Sequence, residues 1–584
     1  MGNPHGRAEV ATALRYREHI PAIPGLLAIL IVGFSIDPGR HFLTSDTQIW
    51  TVMMEHQLHP EFLGRDLLAQ YPHIGLSFYD EIVNGLRRLT GLPVEAVMVA
   101  HQVVFRAVML GAAYWLGFAL CKSRLLAVWM AASIQMIYFI AGPTVCVFEV
   151  EPVPRAYSLA LGLLAVALVA NGRRWGAAWA LGAAMLFQAV MVYPLLLCLA
   201  SWTLFSREDG SWRRRLSYWV PIAGLAIAVV TLSIAAQGGS GGMFAIVPEW
   251  LREVQRVRAS YNWVSLWPWS LLAVHLLLCV AAGFSYFRLR ADANPWLRWF
   301  LWGVPIVALC SIPVAWLMME RLHLMVAAQT QPARALAMMY AVGVVALLSA
   351  GVLASNRGRW MECGFWLLCG YSMVFLDRTV AFSQVLAAGE GVHGFWLWAP
   401  ALATAATGIL WLRLRSPVAA TILFGLLMAS PFAIYRLHFD ANVMAQDART
   451  PEVLALSAWA EANTHPDAVF LFPGFERSIQ PGVFRSVARR ALYVDWKAGG
   501  QVNFDIEFAR LWWQRWNQAG KGKFTPSRAA LFAREGIDYL VVPRAAELDL
   551  LAPLYRNSRF VVYRTADVAR CAELGTCSVR TASR

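Results

Sequence analysis

The sequence predicts a polytopic α-helical membrane protein of about thirteen transmembrane helices, followed by a C-terminal extracytoplasmic α/β domain. Three observations predict it. Of the 584 residues, 58% are hydrophobic and only 15% charged, against about 25% charged in a soluble domain. Long apolar blocks recur through the first three quarters of the chain, and about 20 apolar residues cross the hydrocarbon of a bilayer. Charge then returns: 35 of the residues in 436–584 are Lys, Arg, Asp or Glu. This pattern excludes a soluble enzyme and a disordered chain. It also excludes a nucleic-acid binder despite the net charge of +14, because no basic stripe is interleaved with aromatics.

Element by element, residues 1–19 read as a cytoplasmic N-terminus and 20–435 as the membrane domain. Thirteen spans are predicted near 20–36, 94–119, 126–142, 156–171, 176–189, 191–205, 219–236, 263–287, 299–319, 335–354, 361–376, 394–412 and 417–435. The first lacks a small-residue cleavage site and reads as a retained anchor. The pair 176–189 and 191–205 reads as two short spans or one long helix, with Tyr193 and Pro194 favouring a turn. The connections placed inside hold 18 Lys and Arg against 5 Asp and Glu, and the outer loops hold 11 against 14. That asymmetry puts the N-terminus in the cytoplasm, and an odd number of spans puts 436–584 outside. The expected location is a plasma (inner) membrane.

The first outer loop, 37–93, carries seven carboxylates, and a loop of that length in a compact protein is usually functional. Residues 47–56 and 78–89 have helical spacing of apolar side chains and read as amphipathic helices on the membrane surface. Asp46 either caps the first of these with help from Ser45 or serves as an acid–base group. Asp66 either pairs with Arg65 or belongs to a site. Arg106 lies mid-span, where charge is costly and needs a partner; Glu149 is one candidate. Arg252, Arg256 and Arg258 form the most basic outer patch.

The stretch SDTQIW…HPEFLGRDLL, a carboxylate opening a long first loop after the first span, resembles the GT-C glycosyltransferases. RAYSLALGLLAVAL at 155–168, PEWLREVQRVRASYNW at 248–263 and QTQPARALAM at 329–338 resemble the same group. So do LSAWAEANTHPDAVFLFP and FRSVARRALYVDWK in the tail. The resemblance implies a GT-C-like fold and a polyprenyl-phosphate sugar as donor. It further implies an envelope lipid or glycan as acceptor, with membrane lipids as surroundings. Carried onto this sequence, Asp46 becomes the first-loop carboxylate that acts as general base, taking the acceptor proton, or binds the acceptor. Asp66, Arg106, Glu149, Glu151, Arg155, Gln329 and Arg334 become candidates for donor or acceptor binding. Arg155 and Arg334 either grip phosphate or anchor at the interface. Some members of the family use a divalent cation and others do not, so the cofactor stays open.

In the tail, 451–466, 504–516 and 526–535 read as helices, and 468–472, 491–494, 539–542 and 560–563 as strands of a mostly parallel sheet. Arg485, Arg489, Arg490, Asp495, Trp496 and Lys497 form its richest polar cluster, suited to acceptor binding or to docking on the membrane domain. Cys571 and Cys577 lie where a disulfide is permitted. Two other functions compete with glycosyl transfer. A transporter or flippase of a lipid-linked precursor would show repeated halves and midplane charges, whereas here the carboxylates crowd the outer loops. A non-catalytic envelope scaffold is the third.

Overall fold

The computed structural model describes residues 19–36, 42–71, 77–136, 139–206, 211–237, 245–387, 391–414 and 448–579. A segment in lipid must satisfy its backbone internally, and twelve of the thirteen predicted apolar blocks lie on helices. These are α1 (Ile23–Ile36), α4 (Val94–Cys121), α5 (Arg124–Gln135), α6 (Pro154–Ala170), α7 (Arg174–Gln188) and α8 (Tyr193–Phe205). Then come α9 (Trp219–Gln237), α11 (Trp269–Leu289), α12 (Pro295–Trp316), α13 (Ala335–Asn356), α14 (Trp360–Val374) and α16 (Gly391–Arg413). The block 417–435 lies outside the described residues.

By length and composition alone, four helices can cross a membrane: Val94–Cys121, Trp269–Leu289, Pro295–Arg321 and Met325–Asn356. A fifth candidate joins α14 to α15 (Leu376–Ala387), the pair bent by 95°. The chain is thus a mostly helical, polytopic membrane protein. α13 is the central pillar: from Ala335 to Val352 every residue is buried. Small residues let neighbours close on it, and Gly343 and Gly351 take the side chains of Met373 and Leu367.

Two blocks end differently from their sequence reading. The block 126–142 is helical only to Gln135. Beyond it Gly142 turns with φ 90°, and a Cβ there would lie 3.0 Å from the Trp267 ring. The chain then runs irregularly to Val153. The 176–205 region is two helices joined by a 3₁₀ turn, Ala189–Met191. Their junction lies at the cavity described below, which Gln188 lines, while the Tyr193 hydroxyl donates to the Pro332 carbonyl. The other end of α8 packs Trp202 on Trp296, 4.7 Å between ring centres.

The first long loop carries α2 (Thr47–Leu58) and α3 (Tyr79–Thr90). α2 does not lie on the membrane surface as its pattern predicts. Its apolar face, Ile49, Val52 and Met53, shares a core with Val469, Leu471, Leu540 and Val542 of the tail. An amphipathic pattern shows that a face needs covering, not whether lipid or protein covers it. α3 buries the polar Asp80, Asn84 and Arg87, with Arg87 on Glu55 at 2.6 Å, and leaves Leu89 exposed.

The tail is an α/β unit. Its five strands are β1 (Val469–Leu471), β2 (Ala491–Leu492), β3 (Tyr539–Pro543), β4 (Tyr555–Arg556) and β5 (Phe560–Arg564). They lie in the order β2-β1-β3-β5-β4. β1 pairs in parallel with β2 and β3, but β5 pairs antiparallel with β3 and β4. The sheet is therefore mixed, not mostly parallel. No helix separates β4 from β5, and Asn557 closes the hairpin between them: its side-chain oxygen accepts from Arg559 N and Phe560 N. The helices are α17 (Pro451–Asn463), α18 (Gln480–Ala488), α19 (Ile506–Arg515), α20 (Ala529–Arg534) and α21 (Thr565–Glu573). Cys571 and Cys577 are bridged.

Candidate active site

The site starts at the N-terminus of α2. An N-terminal turn leaves backbone N–H groups that need acceptors, and the local capping rule names Asp46. Asp46 does occupy the cap position, yet its side chain makes no capping bond. Glu151, from the loop before α6, does it instead. Its carboxylate accepts from Ser45 N at 2.5 Å, Asp46 N at 2.6 Å and Thr47 N at 3.3 Å. The hydroxyls of Thr44 and Thr47 donate to it at 2.6 and 3.0 Å. Replacing Glu151 by Ala is expected to cost about 1–3 kcal/mol, since it strips a buried acceptor from several donors. Faster amide exchange at residues 45–47 would register the loss; unchanged exchange would contradict it.

This arrangement releases the Asp46 carboxylate to face cations. Arg155 Nη1 donates to Oδ2 at 2.5 Å and Lys497 Nζ to Oδ1 at 2.6 Å. Burial pushes the Asp46 carboxyl up, but the Lys497 ammonium and the Arg155 guanidinium outweigh it and hold the group well below the usual carboxylate range. Arg155 also grips Glu149 with Nε at 2.6 Å and Nη2 at 3.3 Å. The Lys497 ammonium donates further to Ser45 Oγ at 2.7 Å. The result is a row of alternating charge, Glu149, Arg155, Asp46, Lys497, assembled from three distant parts of the chain.

That row lies along a cavity of ≈ 660 Å³. The membrane helices contribute Pro154, Arg155, Phe187, Gln188 and Arg334; the first loop adds Ser45, Asp46, Ile49 and Trp50; the tail adds Arg477, Trp496, Lys497 and Phe504. Five cations line it, Arg155, Arg258, Arg334, Arg477 and Lys497, against three carboxylates, Asp46, Glu149 and Glu151. Arg334 is buried, and its Nε has no hydrogen-bond partner among the described residues. Beside it Gln331 takes the left-handed conformation, φ 46°, and its Oε1 is likewise unmatched among them. Among the described residues no group of three His, Cys, Asp or Glu side chains is placed to hold a metal ion.

ArnT from Cupriavidus metallidurans, solved in the apo state, superposes on this chain with a TM-score of 0.50. The match covers 94% of this chain and 98% of that one at 14% identity. The fold is GT-C-like. The same ArnT bound to undecaprenyl phosphate gives a TM-score of 0.49 at 14% identity, with the same coverage of both chains. The arabinofuranosyltransferase AftD from Mycobacteria gives 0.43 at 12% identity, over 93% of this chain and 40% of that one. Residues 451–519 match the family model described as a domain of unknown function, DUF6798. No curated protein matches the sequence.

On this GT-C-like frame, the residues singled out in the sequence separate into two groups. Asp46, Glu149, Glu151, Arg155 and Arg334 all line the cavity. Asp66, Arg106 and Gln329 do not. Asp66 caps the short helical turn Leu67–Gln70 through Leu68 N at 3.0 Å and accepts from Leu492 N of β2 at 2.9 Å. Its cation is Arg485, at 3.6 Å, not Arg65. Burial raises the Asp66 carboxyl above its ordinary value, and Arg485 offsets this only in part. Arg106 stacks on Phe34 at 4.4 Å and Phe148 at 5.3 Å, while the Glu149 oxygens serve Arg155. Gln329 donates to the Phe504 carbonyl at 3.2 Å.

The tail cluster divides in the same way. Trp496 and Lys497 reach the cavity; Arg489 and Arg490 instead bond the end of α17 at Glu461 and Thr464. Arg485 and Asp495 pair at 2.7 Å. Of the basic patch, carried by α10 (Glu249–Arg258), only Arg258 reaches the cavity. It donates to the carbonyls of Trp496 and Lys497 at 2.9 and 3.2 Å. Arg477 and Tyr261, which also line the cavity, carry no local signal in the sequence.

Proposed function

We propose that this protein is a glycosyltransferase that moves a sugar from a polyprenyl-phosphate donor onto an envelope lipid or glycan acceptor. In this reading it sits in the bacterial inner membrane, N-terminus in the cytoplasm and tail outside, a placement that the charge asymmetry of the loops supports. One observation carries the proposal: a carboxylate lining a cavity that is otherwise rich in cations, one of them buried without a partner for its Nε among the described residues. A buried cation costs free energy unless an anion meets it, and a donor phosphate is such an anion.

In the reaction, Asp46 takes the acceptor proton as the acceptor oxygen bonds to the anomeric carbon. The bond from that carbon to the phosphate oxygen breaks, and its electron pair stays on the phosphate. Arg334 and its neighbouring cations meet the charge that develops there. Attack opposite the leaving group inverts the anomeric centre.

The test supplies purified protein with labelled polyprenyl-phosphate sugars and a panel of acceptors. Transfer to one of them is expected. Absence of transfer with every donor, together with flux of a lipid-linked precursor in vesicles, would replace this reading by transport. Within it, Arg334→Ala is expected to raise KM for the donor about 10- to 100-fold, the weight of a hydrogen bond to a charged group. Arg334→Lys should recover part of that affinity. An unchanged KM in the alanine variant would remove Arg334 from the phosphate site.

A further inference from the structure

We propose that Lys497 is a latch on Asp46: its ammonium occupies the carboxylate in the resting protein, and a phosphate group entering the cavity draws it away. The inference rests on the reading of Asp46 as general base. It adds that the base becomes competent only when the anionic end of a lipid-linked donor is in place.

The two cations on Asp46 are held very differently. Arg155 is fixed by its own two-bond grip on Glu149, so it cannot leave without breaking a second ion pair. The Lys497 ammonium is held only by Asp46 and the Ser45 hydroxyl among the described residues, at the end of a flexible four-carbon stem. The backbone below it is anchored. Asp495 Oδ2 accepts from Lys497 N and Ala498 N at 3.1 and 3.3 Å, and Arg258 holds the carbonyls of Trp496 and Lys497. The ammonium can therefore swing while its root stays still, and the root sits in a cavity wall shared with Arg258 and Arg477.

A carboxylate bonded to two cations is a poor proton acceptor, because each bond favours its charged form. With Lys497 on the phosphate, Asp46 keeps Arg155 and regains basicity as the acceptor arrives. After transfer the phosphate is a monoester and carries more negative charge than in the donor, which holds Lys497 more firmly. When it leaves, Lys497 returns to Asp46 and expels the proton, restoring the resting state. The other groups around Asp46 do not mimic this. Glu149 and Glu151, from the loop before α6, are tied to Arg155 and to the α2 N-terminus. Arg258, Tyr261, Arg334 and Arg477 line the cavity without an ion pair to Asp46 among the described residues.

Two measurements test the latch. In pH profiles of transfer, the acidic limb of kcat reports Asp46 in the complex and that of kcat/KM reports it in the free enzyme. The kcat limb is expected at least about one pH unit higher, and Lys497→Met or Lys497→Gln should bring the kcat/KM limb up to meet it. Coincident limbs in the native protein would overturn the latch.

The second measurement needs no transfer. Binding of polyprenyl phosphate and of inorganic phosphate is compared in the native protein, Asp46→Asn, Lys497→Met and the double variant. Asp46→Asn should tighten binding about tenfold with Lys497 present and much less without it, a coupling that only interacting residues show. Coupling with both ligands identifies the phosphate group itself as the trigger; coupling with the lipid alone makes the trigger lipid-borne; additivity with both discards the latch. Transfer that survives Asp46→Asn would instead reject the base, which the binding cycle does not depend on.

Discussion

Asp46→Asn is expected to lower transfer by about 10²- to 10⁴-fold, the usual weight of a positioned general base, with the fold intact. Asn has the same shape, and the capping of α2 does not depend on this side chain, since Glu151 supplies it. Arg155 keeps Glu149 as a partner. Lost are the proton acceptor and the counter-charge to Lys497. A clean result is a collapse of kcat with an unaltered unfolding profile and donor binding no weaker than before. A rate within a few-fold of the native one would show that another group takes the proton.

The largest effect on stability is expected at Arg485. Its guanidinium is fully buried between Asp495 at 2.7 Å and Asp66 at 3.6 Å, and it reaches the Gln48 carbonyl at 3.4 Å. Arg485→Met would leave two buried carboxylates without their cation, at a cost of about 3–5 kcal/mol. The damage would spread to the site, because Asp495 also holds the backbone of Lys497. Protease sensitivity of the tail should rise and transfer should fall together. Replacing the triad by Asp66→Asn, Arg485→Met and Asp495→Asn at once should cost less than the single change, since no charge is then left bare and the amide oxygens can still accept from Leu68 N, Leu492 N and Lys497 N. A single variant as stable as the native protein would mean that the seam is wet.

The apolar blocks were legible as helices because a segment in lipid must satisfy its backbone internally, and twelve of them lie on helices between Ile23 and Arg413. The position of Asp46 was legible too, as a carboxylate near the start of a long loop. Its chemistry was not. Local capping rules look three residues ahead, whereas the acceptor that caps α2 is Glu151, separated by 105 residues from Asp46. Lys497 stood in a cluster of similar residues, and nothing local distinguishes it from Arg489 or Arg490. Only the packing of the tail on the first loop does so. Gln329 faces the Phe504 carbonyl, while Gln331 and Arg334, further along the chain, line the cavity. β4 has two residues, Tyr555 and Arg556, too few for any periodicity to register.

The bond from Asp66 to Leu492 N spans 426 residues, and this has a cost during synthesis. At 5–20 residues per second, the first loop is made about 20 to 90 seconds before the strand that covers it. Through that interval the apolar face of α2 and the carboxylate of Asp66 have no tail to dock on. The nascent loop is thus a natural client for a holdase, and the cavity beside Asp46 lacks its tail wall until the last quarter of the chain has emerged. A ribosome stalled before that point leaves a membrane stub without Lys497, Trp496 and Arg477, and so without the tail side of the cavity.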